Sequence, residues 1–126
     1  MIATIVVVED QPDNLKLIKA LLTMKGHRVV GLASGEPLVA TLLAEQPPPA
    51  LVLLDIQLPG RDGYSVLADV KRIEGDHPWK VVALTAHAMP GDREKTLAAG
   101  FDGYLAKPID VRTFPDEVAR YLSATR

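Results

Sequence analysis

The residues with the clearest chemical potential in this 126-residue chain are three carboxylates, a hydroxyl and an ammonium, each at the end of a short apolar run. They are Glu9, Asp10, Asp55, Thr85 and Lys107. Oxygen ligands without cysteine or paired histidine favour a hard cation, Mg²⁺ before Zn²⁺. A carboxylate can also attack phosphorus and form an aspartyl phosphate, assisted by a metal, a cation and a hydroxyl donor. These residue types therefore suit metal-assisted phosphoryl chemistry.

The charge of this group also favours cation binding. Three carboxylates and one ammonium leave two negative charges, which one Mg²⁺ would neutralise. Two carboxylates about 4 Å apart repel by roughly 4 kcal/mol at an effective dielectric constant near 20. Taken singly, each acidic residue could equally serve to keep a sheet edge soluble. Asp55 is the best candidate nucleophile, because it directly ends a strand-like run and a turn follows it.

Alternating strand-like and helix-like segments must position these side chains. Apolar runs rich in β-branched residues predict strands at residues 5–8, 28–33, 50–54, 79–84 and 103–106. Helical spacing predicts a first helix that ends before Gly26 and a second at 36–45 with Ser34 as its N-cap. Three more follow, at 64–73, at 90–99 and after a cap at Thr113.

This order predicts an α/β fold, a doubly wound five-stranded parallel sheet in flavodoxin-like order 2-1-3-4-5 with helices on both faces. The carboxyl ends of the strands in such a sheet share one edge, where ligands bind. The five reactive side chains should therefore meet in one cleft.

Composition places limits on function. Hydrophobic residues make up 48% and charged residues 24%, as in ordinary globular domains, and the length favours one domain spanning 1–126. A net charge of −2 provides no global electrostatic case for nucleic acid or an anionic membrane. Cysteine is absent, no apolar run approaches transmembrane length, and the start lacks a signal-peptide n-region. We therefore expect a soluble cytoplasmic domain.

Four separated stretches resemble the receiver domain of two-component response regulators. They are residues 8–14 (VEDQPDN), 53–60 (LLDIQLPG), 83–86 (ALTA) and 106–109 (AKPI). The resemblance runs from about residue 3 to residue 124. It implies that Asp55 is the phosphoacceptor, which receives a phosphoryl group from a histidine of a sensor kinase or phosphotransfer protein. It also implies that Mg²⁺ is held by Glu9, Asp10, Asp55 and the backbone carbonyl of Gln57.

The resemblance further implies a switch. Lys107 would pair with the phosphoryl group, and its peptide bond to Pro108 would be cis. Thr85 would be the switch hydroxyl, and Tyr104 the aromatic whose ring turns inward when Thr85 moves. His87 stands at a position that tunes phosphate lifetime in this family, and Arg61 replaces a residue that is often Met, with little expected effect. The phosphodonor would dock on the first helix, at residues such as Leu15, Ile18 and Leu22.

The favoured hypothesis is a single-domain regulator with no output domain, similar to the cell-division and chemotaxis types. It would catalyse only its own Mg²⁺-dependent phosphorylation and dephosphorylation and would bind a downstream protein target, as a monomer or as a dimer. One alternative is a receiver excised from a hybrid histidine kinase. Others are an aspartate-nucleophile phosphatase, which Gln57 disfavours at the general-acid position, a flavin-binding protein, and an interaction module that is not phosphorylated.

Overall fold

Five strands alternate with five helices along the chain. The computed structural model describes residues 2–86 and 90–123, so His87 lies outside the described residues. The elements are β1 (Thr4–Val8), α1 (Pro12–Met24), β2 (Arg28–Leu32), α2 (Leu38–Ala44), β3 (Leu51–Asp55), α3 (Gly63–Lys71), β4 (Lys80–Thr85), α4 (Pro90–Ala98), β5 (Gly103–Ala106) and α5 (Phe114–Ser123).

The strands form one parallel sheet in the order β2-β1-β3-β4-β5, which confirms the predicted fold class. β1 and β3 lie at its centre and are buried along their whole length. Their uninterrupted apolar sequences suit this position, because a central parallel strand is covered on both faces. The switch in strand order falls between β1 and β3, where the first and third strands pair with Val8 opposite Leu54.

Alternation of side chains along the strands divides the core in two. On one face, Val6, Val8, Val52 and Leu54 pack with residues of α2 and α3. On the other face, Ile5, Val7, Leu51 and Leu53 pack with residues of α1 and α5. The helices therefore cover both faces of the sheet, as predicted.

The predicted start of α2 is wrong. The helix begins at Leu38 with Pro37 at its N-cap position, and Ser34 does not cap it. A residue that precedes proline is disfavoured in the helical region, so Glu36 cannot lie inside the helix. The stop at Gly26 is confirmed, since this glycine has a φ of 87°. Pro115 lies in the first turn of α5, as expected, because that helix begins at Phe114.

The start of α3 is fixed by a side-chain N-cap. Asp62 is the N-cap, and its Oδ1 accepts a hydrogen bond of 2.8 Å from Ser65 N. The helix then runs from Gly63 to Lys71, whereas 64–73 was predicted. This cap defines the end of the loop that follows Asp55.

Candidate functional site

The reactive side chains lie at the carboxyl ends of four strands. Asp55 is the last residue of β3 and Thr85 the last residue of β4. Glu9 and Asp10 follow β1, and Lys107 follows β5. Because the strands are parallel, these ends share one edge of the sheet, and the cleft predicted from the sequence forms there.

Three carboxylates form a compact cluster in this cleft. Glu9, Asp10 and Asp55 each contribute one oxygen, and these oxygens all lie within 4.8 Å of one another. Glu9 is 0% exposed and Asp55 is 2% exposed, whereas Asp10 is half-buried. An all-oxygen donor set of this size suits a hard divalent cation and leaves room for water ligands.

Lys107 is the counter-charge of the cluster. Its Nζ donates a hydrogen bond of 2.8 Å to Asp55 Oδ2 and lies 2.6 Å from Glu9 Oε1. Its peptide bond to Pro108 is cis, as predicted. Burial by itself lowers the pKa of Lys107, but its contacts with Asp55 and Glu9 outweigh burial and raise the pKa above its usual value. The ammonium is therefore firmly charged.

Glu9 is less well satisfied than Lys107. Its Oε2 accepts a hydrogen bond of 3.1 Å from Gln11 N. Its Oε1 is buried, and the contact on this oxygen is the ion pair with the Lys107 ammonium at 2.6 Å. Burial raises the pKa of Glu9, and the neighbouring Asp55 carboxylate adds to this effect, whereas the shared ammonium opposes it only in part. A buried carboxylate oxygen whose partner is a single ammonium can also bind a metal ion, because each carboxylate oxygen has two lone pairs.

The loop after Asp55 is tightly closed. Asp55 Oδ1 accepts a hydrogen bond of 2.9 Å from Gln57 N, so a backbone amide orients the carboxylate. Gly63 N donates to Ile56 O at 2.7 Å. A Cβ at Gly63 would lie 2.6 Å from Asp55 O and 2.7 Å from Ile56 Cα, so the chain can close here only with glycine. The turn-rich composition of this loop was the sequence signal for Gly63, whose contact with Asp55 was not foreseen.

The two predicted switch residues lie beside the cluster. Thr85 is buried, and its backbone oxygen accepts a hydrogen bond of 2.8 Å from Lys107 N. Tyr104 lies on β5, is half-buried, and packs against the core cluster on the α2 and α3 face. The guanidinium of Arg93 lies 5.7 Å from the centre of its ring. Movement of either side chain stays a prediction.

The predicted docking residues on α1 need a correction. Ile18 and Leu22 are fully buried in the core, so neither can contact a phosphodonor. Leu15 is half-buried and borders a surface groove with Pro12, Lys16 and Lys19. Apolar residues have the same helical spacing on a face buried in the core and on a face that binds a partner. Only the packed structure distinguishes the two.

The family model of the response regulator receiver domain matches residues 5–119. The chain therefore belongs to the receiver domain family of two-component signalling. The fold and the cluster fit a phosphorylation-controlled signalling switch, and membership of this family disfavours the phosphatase and flavin alternatives.

Two curated relatives illustrate the range of this family. The chain is 41% identical over 118 residues to the signal transduction histidine-protein kinase BarA of Escherichia coli; the match covers 94% of this chain but 13% of that protein. The chain thus spans about an eighth of the length of this relative. It is 37% identical over 122 residues to the polar-differentiation response regulator DivK of Brucella ovis, with 97% and 98% of the two chains covered.

A solved structure with the same fold holds a metal. It is the receiver domain of a sensor histidine kinase from Pseudomonas aeruginosa, with a magnesium ion coordinated in the active site cleft. Its TM-score is 0.83 at 34% sequence identity, and the match covers 98% of this chain and 100% of that one. Within residues 2–86 and 90–123, no helix has the length and apolar character needed to cross a membrane.

Proposed function

We propose that this receiver domain is a switch whose phosphoacceptor is Asp55. The observation that carries the proposal is the environment of this carboxylate, which is buried at the end of a central strand with an ammonium on Oδ2 and a backbone amide on Oδ1. Two further carboxylates lie beside it. Asp55 is thus the oriented nucleophile, and the groups around it are the helpers that phosphoryl transfer needs.

In the proposed reaction, an Asp55 oxygen attacks the phosphorus of a phosphohistidine. The phosphorus–nitrogen bond breaks as the new phosphorus–oxygen bond forms, and the electron pair leaves with the imidazole nitrogen. Lys107 lies where its ammonium can stabilise charge on a phosphoryl oxygen. Glu9, Asp10, Asp55 and the carbonyl of Gln57 would hold Mg²⁺, which supplies charge neutralisation at the phosphoryl oxygens. No other substrate is turned over in this proposal.

The conformational response would involve Thr85 and Tyr104. Phosphorylation adds charge and acceptor oxygens at Asp55, to which the Thr85 hydroxyl can donate. The Lys107 N–H to Thr85 O hydrogen bond ties the ends of β4 and β5 together, so a shift at one strand end affects the other. Inward rotation of the Tyr104 ring would then alter the face formed by α4, β5 and α5. A coupling free energy of about 1–3 kcal/mol would suffice for a useful shift in population.

The proposed partners are a sensor histidine kinase or a histidine phosphotransfer protein as donor and a downstream protein as target. The part of α1 near Leu15 is exposed enough to contact the donor. We propose a cytoplasmic, monomeric protein with this receiver as its single domain. Support comes from DivK, whose length the chain covers almost completely.

The similarity to BarA supports a second possibility, a receiver that forms part of a hybrid kinase. An immunoblot of source cells separates the two, because the stand-alone protein migrates at 13.6 kDa and a hybrid kinase migrates at several times that mass. Fractionation of the same cells tests the proposed cytoplasmic location. Light scattering of the purified protein tests whether it is a monomer.

The acceptor is tested by labelling with a small-molecule phosphodonor in Mg²⁺. Wild-type protein should gain the mass of one phosphoryl group, and Asp55→Asn should gain none. Asp76→Asn is the matched control, since Asp76 is an exposed aspartate far along the chain from the cluster. Labelling of Asp55→Asn at the wild-type level would overturn the proposal.

A further inference from the structure

Helix α4 is held to the domain mainly by polar and cationic contacts. Of residues 91–98, whose side chains the structure describes, only Thr96 is buried, with 1% exposure. Leu97, the large apolar residue in this range, is 40% exposed. An element with so little buried apolar surface has a low free energy of local displacement. The contacts that it does make therefore decide its position.

One side chain outside the helix makes several of these contacts. The hydroxyl of Tyr64, on α3, lies 3.2 Å from Thr96 Oγ1. Thr96 Oγ1 donates its own proton to Asp92 O at 2.8 Å, so Tyr64 is the donor of the bond between the helices. Lys95 Nζ lies 5.2 Å from the centre of the Tyr64 ring, within the range of a cation–π interaction. Tyr64 thus binds two successive residues of α4.

The same residue is joined directly to the acceptor loop. Tyr64 follows Gly63, whose Cα faces Asp55 O and Ile56 Cα so closely that no Cβ would fit. Gly63 N also donates to Ile56 O. A displacement of the Asp55 backbone should therefore displace Gly63 as well, because the two backbone segments are in close contact. The Tyr64 ring also packs edge to face on the Phe101 ring, with 5.8 Å between the ring centres, and this contact restricts its rotation.

We infer that Tyr64 is a positioning residue that couples the acceptor loop to α4 by a route separate from Thr85 and Tyr104. Its bond to Thr96 restrains α4 in the unphosphorylated position, and phosphorylation of Asp55 weakens this restraint through Gly63. The inference rests on the proposed function for the phosphorylation step only. The restraint itself belongs to the unphosphorylated protein.

The restraint is tested by hydrogen exchange of the α4 amides in unphosphorylated protein. Tyr64→Phe keeps the ring and removes the hydroxyl, and Thr96→Val keeps the shape and removes its partner. Tyr64→Phe loses one hydrogen bond and should speed α4 exchange by about two- to tenfold. Thr96→Val also loses the bond to Asp92 O and should speed exchange at least as much. The double variant should exchange no faster than Thr96→Val, because Thr96→Val by itself already removes the bond to Tyr64. Thr41→Val is the matched control, since Thr41 makes the same bond to the residue four positions back, Pro37 O at 2.7 Å, within α2.

The coupling is tested by the change in α4 exchange on phosphorylation. This change should be smaller in Tyr64→Phe than in wild type, while labelling of Asp55 stays complete in both. Equal α4 exchange in Tyr64→Phe and wild type, with normal labelling, would overturn the inference and leave the proposed function intact. Failure of wild-type protein to be labelled would instead overturn the proposed function and the coupling together. Faster α4 exchange in Thr41→Val would also count against the inference, because the bond that this hydroxyl makes to Pro37 O does not involve α4.

Discussion

Lys107 Nζ lies 2.8 Å from Asp55 Oδ2, although 52 residues separate the two along the chain. The same nitrogen lies 2.6 Å from Glu9 Oε1, so one ammonium forms ion pairs with two buried carboxylates. Two of the three carboxylates that form the candidate metal cluster are therefore already paired with a cation. A divalent ion that enters the cluster must share these carboxylates with Lys107, and the two cations repel.

Replacement of Lys107 by Met should therefore separate metal binding from phosphorylation. Removal of a neighbouring positive charge should tighten Mg²⁺ binding by about three- to tenfold. The rate of labelling by a phosphodonor should fall by roughly 10²-fold or more, because a group that stabilises transition-state charge is lost. Calorimetric titration measures the first quantity and mass spectrometry the second. Lys107→Arg keeps the charge and should bind Mg²⁺ nearly as wild type does; weaker binding by Lys107→Met would contradict the argument.

Mg²⁺ should stabilise the folded protein through Glu9. At a free concentration of about 100 times the dissociation constant, binding to the native state alone adds about 2.7 kcal/mol to the free energy of unfolding. Wild-type protein should then melt several degrees higher in Mg²⁺ than in chelator, as followed by circular dichroism. Glu9→Gln should lose most of this shift, whereas Glu36→Gln, a change at an exposed carboxylate, should keep it. A full shift in Glu9→Gln would exclude Glu9 as a ligand.

Gly63→Ala should destabilise the fold. Its Cβ would lie 2.6 Å and 2.7 Å from backbone atoms of Asp55 and Ile56, which cannot rotate away. Overpacking of this kind costs about 1–3 kcal/mol in the free energy of unfolding. Urea denaturation measures the loss. Gly91→Ala is the matched control because, among the described residues, no atom outside its own helical segment lies within 4 Å of its added Cβ. Equal stability of the two variants would show that the acceptor loop is not tightly closed.

His27 should make stability depend on pH. Burial lowers the pKa of this imidazole, whose Nδ1 accepts a hydrogen bond of 3.1 Å from Ala3 N. The unfolded chain therefore binds the proton more strongly, so the free energy of unfolding falls as pH drops through the ordinary histidine value of about 6.5. Urea denaturation from about pH 8 to about pH 5.5 should show this fall in wild type.

The loss should be reduced in His27→Gln, in which the titrating group is absent. A slope that is the same in wild type and His27→Gln would assign the pH dependence to other groups.

Local sequence was a good guide to the strands and to the acidic cluster. A β-branched run such as Ile5–Val8 has the same preference for a covered strand wherever it lies, and the parallel sheet brings all its carboxyl ends to one edge. The approach of Glu9 to Asp55 could therefore be predicted from the order of the elements alone. The same reasoning failed at Ser34, because the preference of Pro37 for the helix start outweighed that of a serine for the N-cap.

Contacts between elements were decided by tertiary packing. Helical spacing could not show that Ile18 is buried and Leu15 half-exposed, since both positions fit one apolar stripe. Nor could it predict that the Tyr64 hydroxyl bonds to Thr96, because this contact depends on the distance and direction between side chains on different elements. The chain by itself determined which residues reach the cleft edge, through local preferences and the parallel topology. Only the packed structure decided which atoms touch, because hydrogen bonds and ion pairs vary over tenths of an ångström that no periodic pattern specifies.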